Sequence, residues 1–368
     1  MYVSNQINLR SLHSTPELKE KVFELIAKTF PEGHACSRAI KIQDEFHMLL
    51  QDINAPRVLF LEKAGEIIST CAWAPFTFDL GKSKLKCAAM GLICTADAHR
   101  KQGFSSYLLN EAEKLAIDEN AALSVLWSAN VDHYSKLGYM PSGFENQWSL
   151  KKSEAIKLKL ATTSTHSTVK DLNEIDSLYK SMHLGPIRDI EIYNSFLKLP
   201  DTQLIKTQKA YAFMGKGRDL HNCIHELGGD PHEFKTLLAR LLVNIDEENF
   251  YIQLPLKSKF TPEVEALFGP PQRGSYALAK VLNGASLTEK LLRSSEVEKG
   301  IETDITESSF AISKDKQTIF ASNNFSHFLQ LFLGPLFIEE FEDLSAEQKQ
   351  VLGSIKIPAL YFWGFDSV

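Results

Sequence analysis

Residues 84–129 constrain the fold more than any other part of the chain. "KLKCAAMGLICTA", from Lys84, reads as a long apolar strand running to about Thr95. "HRKQGFSSYLLNEAEKLA", from His99, passes through a basic loop into a leucine-bearing helix that continues to about Ile117, and "AALSVLWSA", 121–129, is a strand again. A helix that crosses between two strands is expected to leave them parallel in one sheet. Arg100 and Lys101 stand just ahead of Gly103, where that helix begins. The first backbone N–H groups of a helix have no internal partner, and the dipole makes that end electropositive. A phosphate there would be held by the backbone, with a glycine letting it come close. The alternative is a loop whose basic residues are simply solvated.

The flanking segments supply an order of elements. A short strand, Gln6 to Leu9, precedes "STPELKEKVFELIAKTF", where Ser14 is the expected N-cap, Pro16 lies in the first turn and Glu17 completes a capping box. "RVLFLEKAGEIISTCAWAPFTF" reads as a hairpin turning at Ala64 and Gly65, and "NVDHYSKLGYMPSG" as a short helix and a turn. The order is β, α, β, β, β, α, β, α, β. From near Thr163 the order is repeated. A helix in "STVKDLNEIDSLYKSMH" is followed by a hairpin turning at Gly215 to Gly217. A second loop-to-helix junction, "GGDPHEFKTLLARLLVN", has Asp230 as N-cap, Pro231 at the first helical position and Glu233 completing the box. The strand "NFYIQLP", the helix "PEVEALFG" and the strand "SYALAKVL" then follow. This is read as a structural duplication. The glycines of "MGKGRD" lack the spacing and the Lys-Ser/Thr ending of a phosphate-binding P-loop. The last part holds the helix "LTEKLLRSS", the alternating "FAISKDKQTIFAS", the apolar helix "FSHFLQLFLGPLF" and the aromatic end "IPALYFWGFDSV", which is expected to be buried against another domain.

A chain of 368 residues is too long for one ordinary core. The expected domains are 1–152, 153–283 and 284–368. A formal net charge of −6 argues against a general nucleic-acid binder, though not against one small anionic ligand. The five cysteines, Cys36, Cys71, Cys87, Cys94 and Cys223, include no C-x-x-C pair. They read as reduced, buried thiols rather than a disulfide framework or a zinc site, and no metal is expected. A nucleophilic Cys94 is the sharper alternative to buried packing. The N-terminus does not have the form of a signal peptide and no apolar run is long enough to span a membrane, so a cytoplasmic protein without membrane attachment is expected.

"R-K-Q-G-F-S", Arg100 to Ser105, resembles the [RQ]-x-x-G-x-[GA] signature of the GCN5-related N-acetyltransferases (GNAT). It follows the right strand and opens the right helix. "LWSANVDHYSKLGYMPSG" resembles the family's second signature, Y-x-x-x-G-[FY], after the fifth strand. Ser105 stands where Gly or Ala is usual, His133 replaces the usual aliphatic or aromatic residue before the tyrosine, and Asn130 is displaced from the family's asparagine position. The pattern is similar to the multidomain branch that includes the enhanced-intracellular-survival acetyltransferases. Those have an active first domain, a degenerate second copy and a C-terminal domain resembling sterol carrier proteins. The last part of this chain is shorter than a full sterol-carrier fold. Beyond residue 160 the likeness is one of architecture.

The resemblance implies an α/β (α+β) GNAT fold: a mixed central sheet flanked by helices, duplicated as a degenerate second domain, with a small α+β C-terminal domain. It implies acetyl-CoA as co-substrate and transfer of acetyl to a primary amine by direct attack. The pyrophosphate would rest on the backbone from Gln102 through Gly103, Phe104 and Ser105 to Ser106, with Arg100 and Lys101 attracting it. Leu92, Ile93 and Cys94 would offer main-chain groups to the pantetheine arm. Tyr134 matches the family's tyrosine acid. In that branch the terminal carboxylate is the base, which places Val368 in the role, anchored by Phe362, Trp363 and Phe365; Asp366 and His133 are alternatives. On helical geometry His133 and Tyr134 point about 100° apart. Trp127, Phe365 and Asp366 are candidate acceptor-site residues. Asp230 disfavours phosphate at the second junction. The acceptor class stays open between a small amine, an amino sugar and a protein lysine, and a homo-oligomer is compatible with the sequence. The competing function is a non-catalytic CoA sensor or interaction protein on the same scaffold.

Overall fold

The computed structural model describes residues 7–30, 42–158, 160, 172–182, 185–199, 201–217, 220–334, 336–358 and 360–368. The first segment supplies strands β1 (Ile7–Ser11), β2 (Val58–Lys63), β3 (Glu66–Asp79), β4 (Lys84–Thr95), β5 (Leu123–Leu126) and β6 (Met140–Ser142), and helices α1 (Lys19–Thr29), α2 (Ile42–Glu45), α3 (His47–Leu50), α4 (Phe104–Asp118) and α5 (Val131–Ser135). Ala64 and Gly65, both at positive φ (51° and 82°), make the tight turn that joins β2 to β3. The helix α4 crosses back so that β5 lies parallel to β4, in register from Cys87↔Leu123 to Ala89↔Val125.

Two apolar clusters cover the two faces of this sheet. Val22, Leu25 and Ile26 of α1 join Phe60, Ala72, Phe76 and Ala89 on one face. Phe104, Leu108, Leu109 and Ala112 of α4 join Leu61, Trp73, Met90 and Leu126 on the other. Burying each such Leu or Phe side chain contributes about 1.5–3 kcal/mol.

The second segment contains β7 (Glu145–Lys151), β8 (Gln203–Lys206), β9 (Ala210–Met214), β10 (Cys223–Gly229), β11 (Asn249–Pro255), β12 (Gln272–Gly274) and β13 (Ala277–Val281), with α6 (Lys152–Lys157), α7 (Leu172–Lys180), α8 (Ile190–Phe196), α9 (Phe234–Asn244) and α10 (Thr261–Phe268). Its sheet runs β12-β7-β11-β10-β9-β8, and β10 pairs parallel with β11 as β4 does with β5. The repeated order of elements is therefore a repeated topology, and the chain has the mixed α/β architecture of a duplicated GNAT fold. The sheets also exchange strands. β13 inserts between β5 and β6, while β7 lies between β11 and β12 in the second sheet. A half-buried ion pair fastens the exchange: Lys280 of β13 donates to Glu113 of α4 at 2.6 Å, and Glu113 also accepts from the Tyr139 hydroxyl at 2.9 Å.

The last segment forms the antiparallel sheet β14 (Ile301–Ile305), β15 (Phe310–Lys314) and β16 (Gln317–Ser322) with α11 (Gly284–Arg293), α12 (Phe325–Leu333) and α13 (Ala346–Ser354). The alternating "FAISKDKQTIFAS" is its hairpin, turning at Asp315 and Lys316.

Some local expectations fail. The capping box of Ser14 and Glu17 does not form: a single 3-10 turn, Pro16–Leu18, intervenes before α1, and the Ser14 hydroxyl donates back to the Ser11 carbonyl at 2.9 Å. The strand expected over 121–129 is only Leu123–Leu126, because its far end separates from β4. The first residues of the helix expected from "STVKDLNEIDSLYKSMH" lie outside the described residues, as does Cys36. Among the described residues no helix is long and apolar enough to cross a membrane.

Candidate active site

Parallel pairing of β4 with β5 ends at Ala89↔Val125, although β4 continues to Thr95. The backbone of β4 beyond that point opens on a split between the strands. The same stretch bulges. Against β3 the register steps from Ala72↔Gly91 to Thr70↔Cys94, so β4 carries one extra residue, and Leu92 sits at φ 52°. Side chains hold the bulge: the Thr70 hydroxyl donates to the Leu92 carbonyl at 2.8 Å and the Ser69 hydroxyl to the Cys94 carbonyl at 2.7 Å. Leu92, Ile93 and Cys94 thus border the split. The Cys94 thiol is buried beside the Thr70 hydroxyl, 2.9 Å away, and burial pushes its pKa up, which opposes a nucleophilic role.

The start of α4 is built to leave N–H groups open. Gly103 is the N-cap at φ 81°, Lys101 lies at φ 62°, and no side chain caps the helix. Phe104 is buried and fixes the helix against the sheet, while Lys101, Gln102 and Gly103 are exposed and Ser105 and Ser106 half-buried. Arg100 makes an exposed ion pair with Asp97 at 2.7 Å, an interaction weak enough to give way to a ligand. Uncapped N–H groups, left-handed loop residues and local cations fit a phosphate group. The matching junction before α9 is closed instead. There the Asp230 carboxylate accepts from the His232 N–H at 3.1 Å, filling the end with negative charge.

Tyr134 lies on α5, whose first turn is capped by Asn130 accepting from the His133 N–H at 3.4 Å. The Tyr134 ring packs edge-on to Tyr139 (6.0 Å between centroids) in the apolar cluster on the α4 face. Burial, and more weakly the Cys71 thiol, push its pKa up to about 12, and among the described residues nothing hydrogen-bonds its hydroxyl. The His133 ring does not point away from it. The two meet edge-on at 5.0 Å, because α5 is one short turn and is not constrained to ideal helical spacing.

The chain end runs into this split from the other face. The Tyr361 hydroxyl donates to Glu145 at 2.5 Å. Phe362 sits among Phe76 (5.6 Å), Phe78 (5.0 Å) and Trp127 (5.7 Å), so Trp127 is packed against the tail. Trp363 is fully buried against Tyr361, and Gly185 leaves the space its indole occupies. Asp366 is buried in a two-point ion pair with Arg188, at 3.1 and 2.9 Å. The side chain of Phe365 lies outside the described residues. Val368 ends the chain against Gly91, the residue at the foot of the bulge: a Cβ on Gly91 would lie 3.0 Å from the Val368 carboxyl carbon and 2.6 Å from a Leu49 methyl. Val368 packs with the cluster on the α1 face, opposite the face that holds Tyr134. A narrow cavity round it is lined by His47, Leu49, Leu199, Lys216 and Ser367. Both ring nitrogens of His47 are buried without a partner among the described residues, and burial, helped by Lys216, brings its pKa down to about 4.

Gly91, Arg188, Lys216 and His47 were not singled out from the sequence. Gly91 carried a usable signal, since a glycine inside an apolar strand marks a bulge or a close approach. Arg188, in "GPIRDI", stands alone with no periodic pattern around it.

Residues 13–142 match the family model described as an acetyltransferase (GNAT) domain. No curated protein matches the chain in sequence. Similar solved structures include a probable N-acyltransferase from Enterococcus faecalis (15% identity, 96% of this chain and 98% of that one, TM-score 0.68). A GCN5-related N-acetyltransferase from Anabaena variabilis is 11% identical, over 96% of this chain and 98% of that one, with TM-score 0.65. Eis1 from Mycobacterium abscessus is 11% identical, over 97% and 98%, with TM-score 0.61. At these identities the structures speak for the fold across nearly the whole chain, and the family model speaks for its first domain. Residues 13–142 match the acetyltransferase (GNAT) domain family, and nearly the whole chain shares its fold with Eis1 and the other acyltransferase structures.

Proposed function

We propose that the protein is an acetyl-CoA-dependent N-acetyltransferase acting on a primary amine, with Val368 and Tyr134 as base and acid. The observation that carries this reading is the terminal carboxyl group of Val368 lying against Gly91 at the β4 bulge, while Tyr134 belongs to the cluster on the opposite face that also holds Met90 of β4 and Leu126 of β5. The open N–H groups at the start of α4 support binding of a pyrophosphate, and β4 beyond Ala89 supports main-chain bonds to the pantetheine arm. Acetyl-CoA supplies the acetyl thioester. The Val368 carboxylate accepts the proton that the attacking amine loses, and the Tyr134 hydroxyl, still protonated at neutral pH, gives its proton to the departing thiolate. The self-capped junction at Asp230 supports a second domain that does not take CoA. Asp366 is read as a structural partner of Arg188 rather than a base. Thiol release from acetyl-CoA across a panel of primary amines, with the product mass checked for one acetyl group, tests the reading. Two glycines appended after Val368 are expected to suppress that release. Release unaffected by the extension removes the base role from Val368, and no release with any amine favours a non-catalytic acyl-CoA binder.

A further inference from the structure

The second domain keeps the cleft of the first in outline, and what fills it is the chain's own end. β10 pairs with β11 over Cys223↔Tyr251 and Ile224↔Ile252, and its register with β9 slips between Ile224 and Glu226, the same strand-and-bulge arrangement as in β4. Gly364 lies on the residue at that slip: a Cβ on Gly364 would be 2.6 Å from the His225 ring. Glu226, the next residue, accepts from Arg188 Nη1 at 2.9 and 3.1 Å and from the Tyr211 hydroxyl at 2.7 Å. The other edge of the Arg188 guanidinium holds Asp366. All three charged groups are buried, and the guanidinium lies over aromatic rings, 4.3 Å from Tyr179 and 5.1 Å from Phe196. Lys216, in the β9–β10 loop, donates to the Gly364 carbonyl at 3.0 Å, to the Ser367 hydroxyl at 2.9 Å and to the Ser367 carbonyl. The tail is therefore gripped from Gly364 to Ser367 by groups of the second domain, and the next residue ends against Gly91 in the first.

We propose that Arg188 and Lys216 are positioning residues for the Val368 carboxylate: the degenerate domain's cleft serves as a clamp that sets the terminal carboxyl group in the split of the catalytic domain. The proposal rests on the reading of Val368 as the base. Two features of the clamp suit it to the task. A guanidinium bound at two points on each of two carboxylates fixes direction as well as distance. Asp366 also accepts from the Trp363 N–H at 3.0 Å, so the turn that sends Ser367 and Val368 toward Gly91 is tied to the same carboxylate. Among the described residues, the ionisable side chains lining the cavity round Val368 are His47 of α3 and Lys216, with Arg188 and Asp366 further up the tail. His47 is neutral above about pH 4, so among the described residues that line the cavity Lys216 is the cation that favours an ionised terminus.

The test uses the full-length chain in three forms: Lys216→Gln, Arg188→Lys, and the chain extended by two glycines after Val368. Lys216→Gln is expected to lower kcat by about tenfold, to leave acetyl-CoA affinity within about twofold, and to move the acid limb of the kcat profile to higher pH. Arg188→Lys, which keeps the charge and loses the fork, is expected to lower kcat with acetyl-CoA affinity intact. If Arg188→Lys does not fold, Lys216→Gln decides alone. An extended chain that is inactive beside a Lys216→Gln variant with wild-type kcat and an unmoved acid limb overturns the clamp and leaves the base standing. An extended chain as active as the wild type overturns the base itself.

Discussion

The carboxyl carbon of Val368 lies 3.0 Å from the point where a side chain on Gly91 would begin. Gly91 is not at positive φ, so its backbone accepts alanine, and what a side chain would contest is the space of a Leu49 methyl at 2.6 Å and of the terminus beside it. Gly91→Ala is expected to lower kcat by about tenfold while acetyl-CoA binds within about twofold of wild type. Steady-state thiol release beside calorimetric titration checks it, and wild-type kcat would place the terminus outside the reaction.

Tyr134 is buried in the apolar cluster on the α4 face, and burial pushes its pKa up to about 12. Tyr134→Phe is expected to lower kcat by about a hundredfold, the scale of one positioned proton donor. Acetyl-CoA affinity is expected to stay unchanged. In the wild type, kcat at saturating acceptor is expected to show no alkaline limb from this residue below pH 10; a limb that disappears in Tyr134→Phe would contradict the raised pKa.

Asp230 closes the second junction by capping its own turn. Asp230→Ala is expected to cost about 1 kcal/mol of stability, the usual cost of a lost N-cap, and to create no second acetyl-CoA site. Denaturant unfolding and titration of the same sample read both outcomes. A second binding event would show that one carboxylate alone separates the two clefts.

His47 folds as a neutral ring, its pKa lowered to about 4 from 6.5 by burial first and Lys216 second. The unfolded chain binds this proton more readily, so the stability concerned is fully present above pH 6.5 and is lost as pH falls toward 4. Between pH 7 and pH 5 the loss from this one group is on the order of 2 kcal/mol. Because neither ring nitrogen has a partner among the described residues, His47→Phe is expected to remove most of that loss at little cost at pH 7. Denaturant midpoints at the two pH values measure it, and equal acid sensitivity in both proteins would refute the assignment. His225, with its pKa lowered to about 3 by burial, destabilises in the same direction and remains in the variant.

What the sequence disclosed was local. Lys84 to Ile117 announced a strand, a loop and a helix because apolar spacing and one glycine control those choices within a few residues. Ala64 and Gly65 announced a turn for the same reason. The aromatic run at the chain end told of burial, since Tyr361, Phe362 and Trp363 could not stand in water, and all three are buried. The exchange of β7 and β13 was silent, because a strand carries the same alternation whichever sheet it joins. The ion pairs of Arg188 were silent too: Asp366 is 178 residues away and Glu226 is 38, and no local pattern links residues so far apart. The Ser14 cap misled because the run Ser14-Thr15-Pro16 is equally able to turn the chain through a 3-10 step, with Thr15 in the cap position.

Calorimetric titration of acetyl-CoA into the wild type and Gly103→Glu tests the central claim most directly. Gly103 is the left-handed N-cap of α4, and a carboxylate there would both strain the turn and face the pyrophosphate. The expected result is one site per chain in the wild type, at micromolar affinity, and none in the variant. No binding by the wild type, two sites per chain, or equal binding by both proteins would contradict an acyl-CoA site at the start of α4.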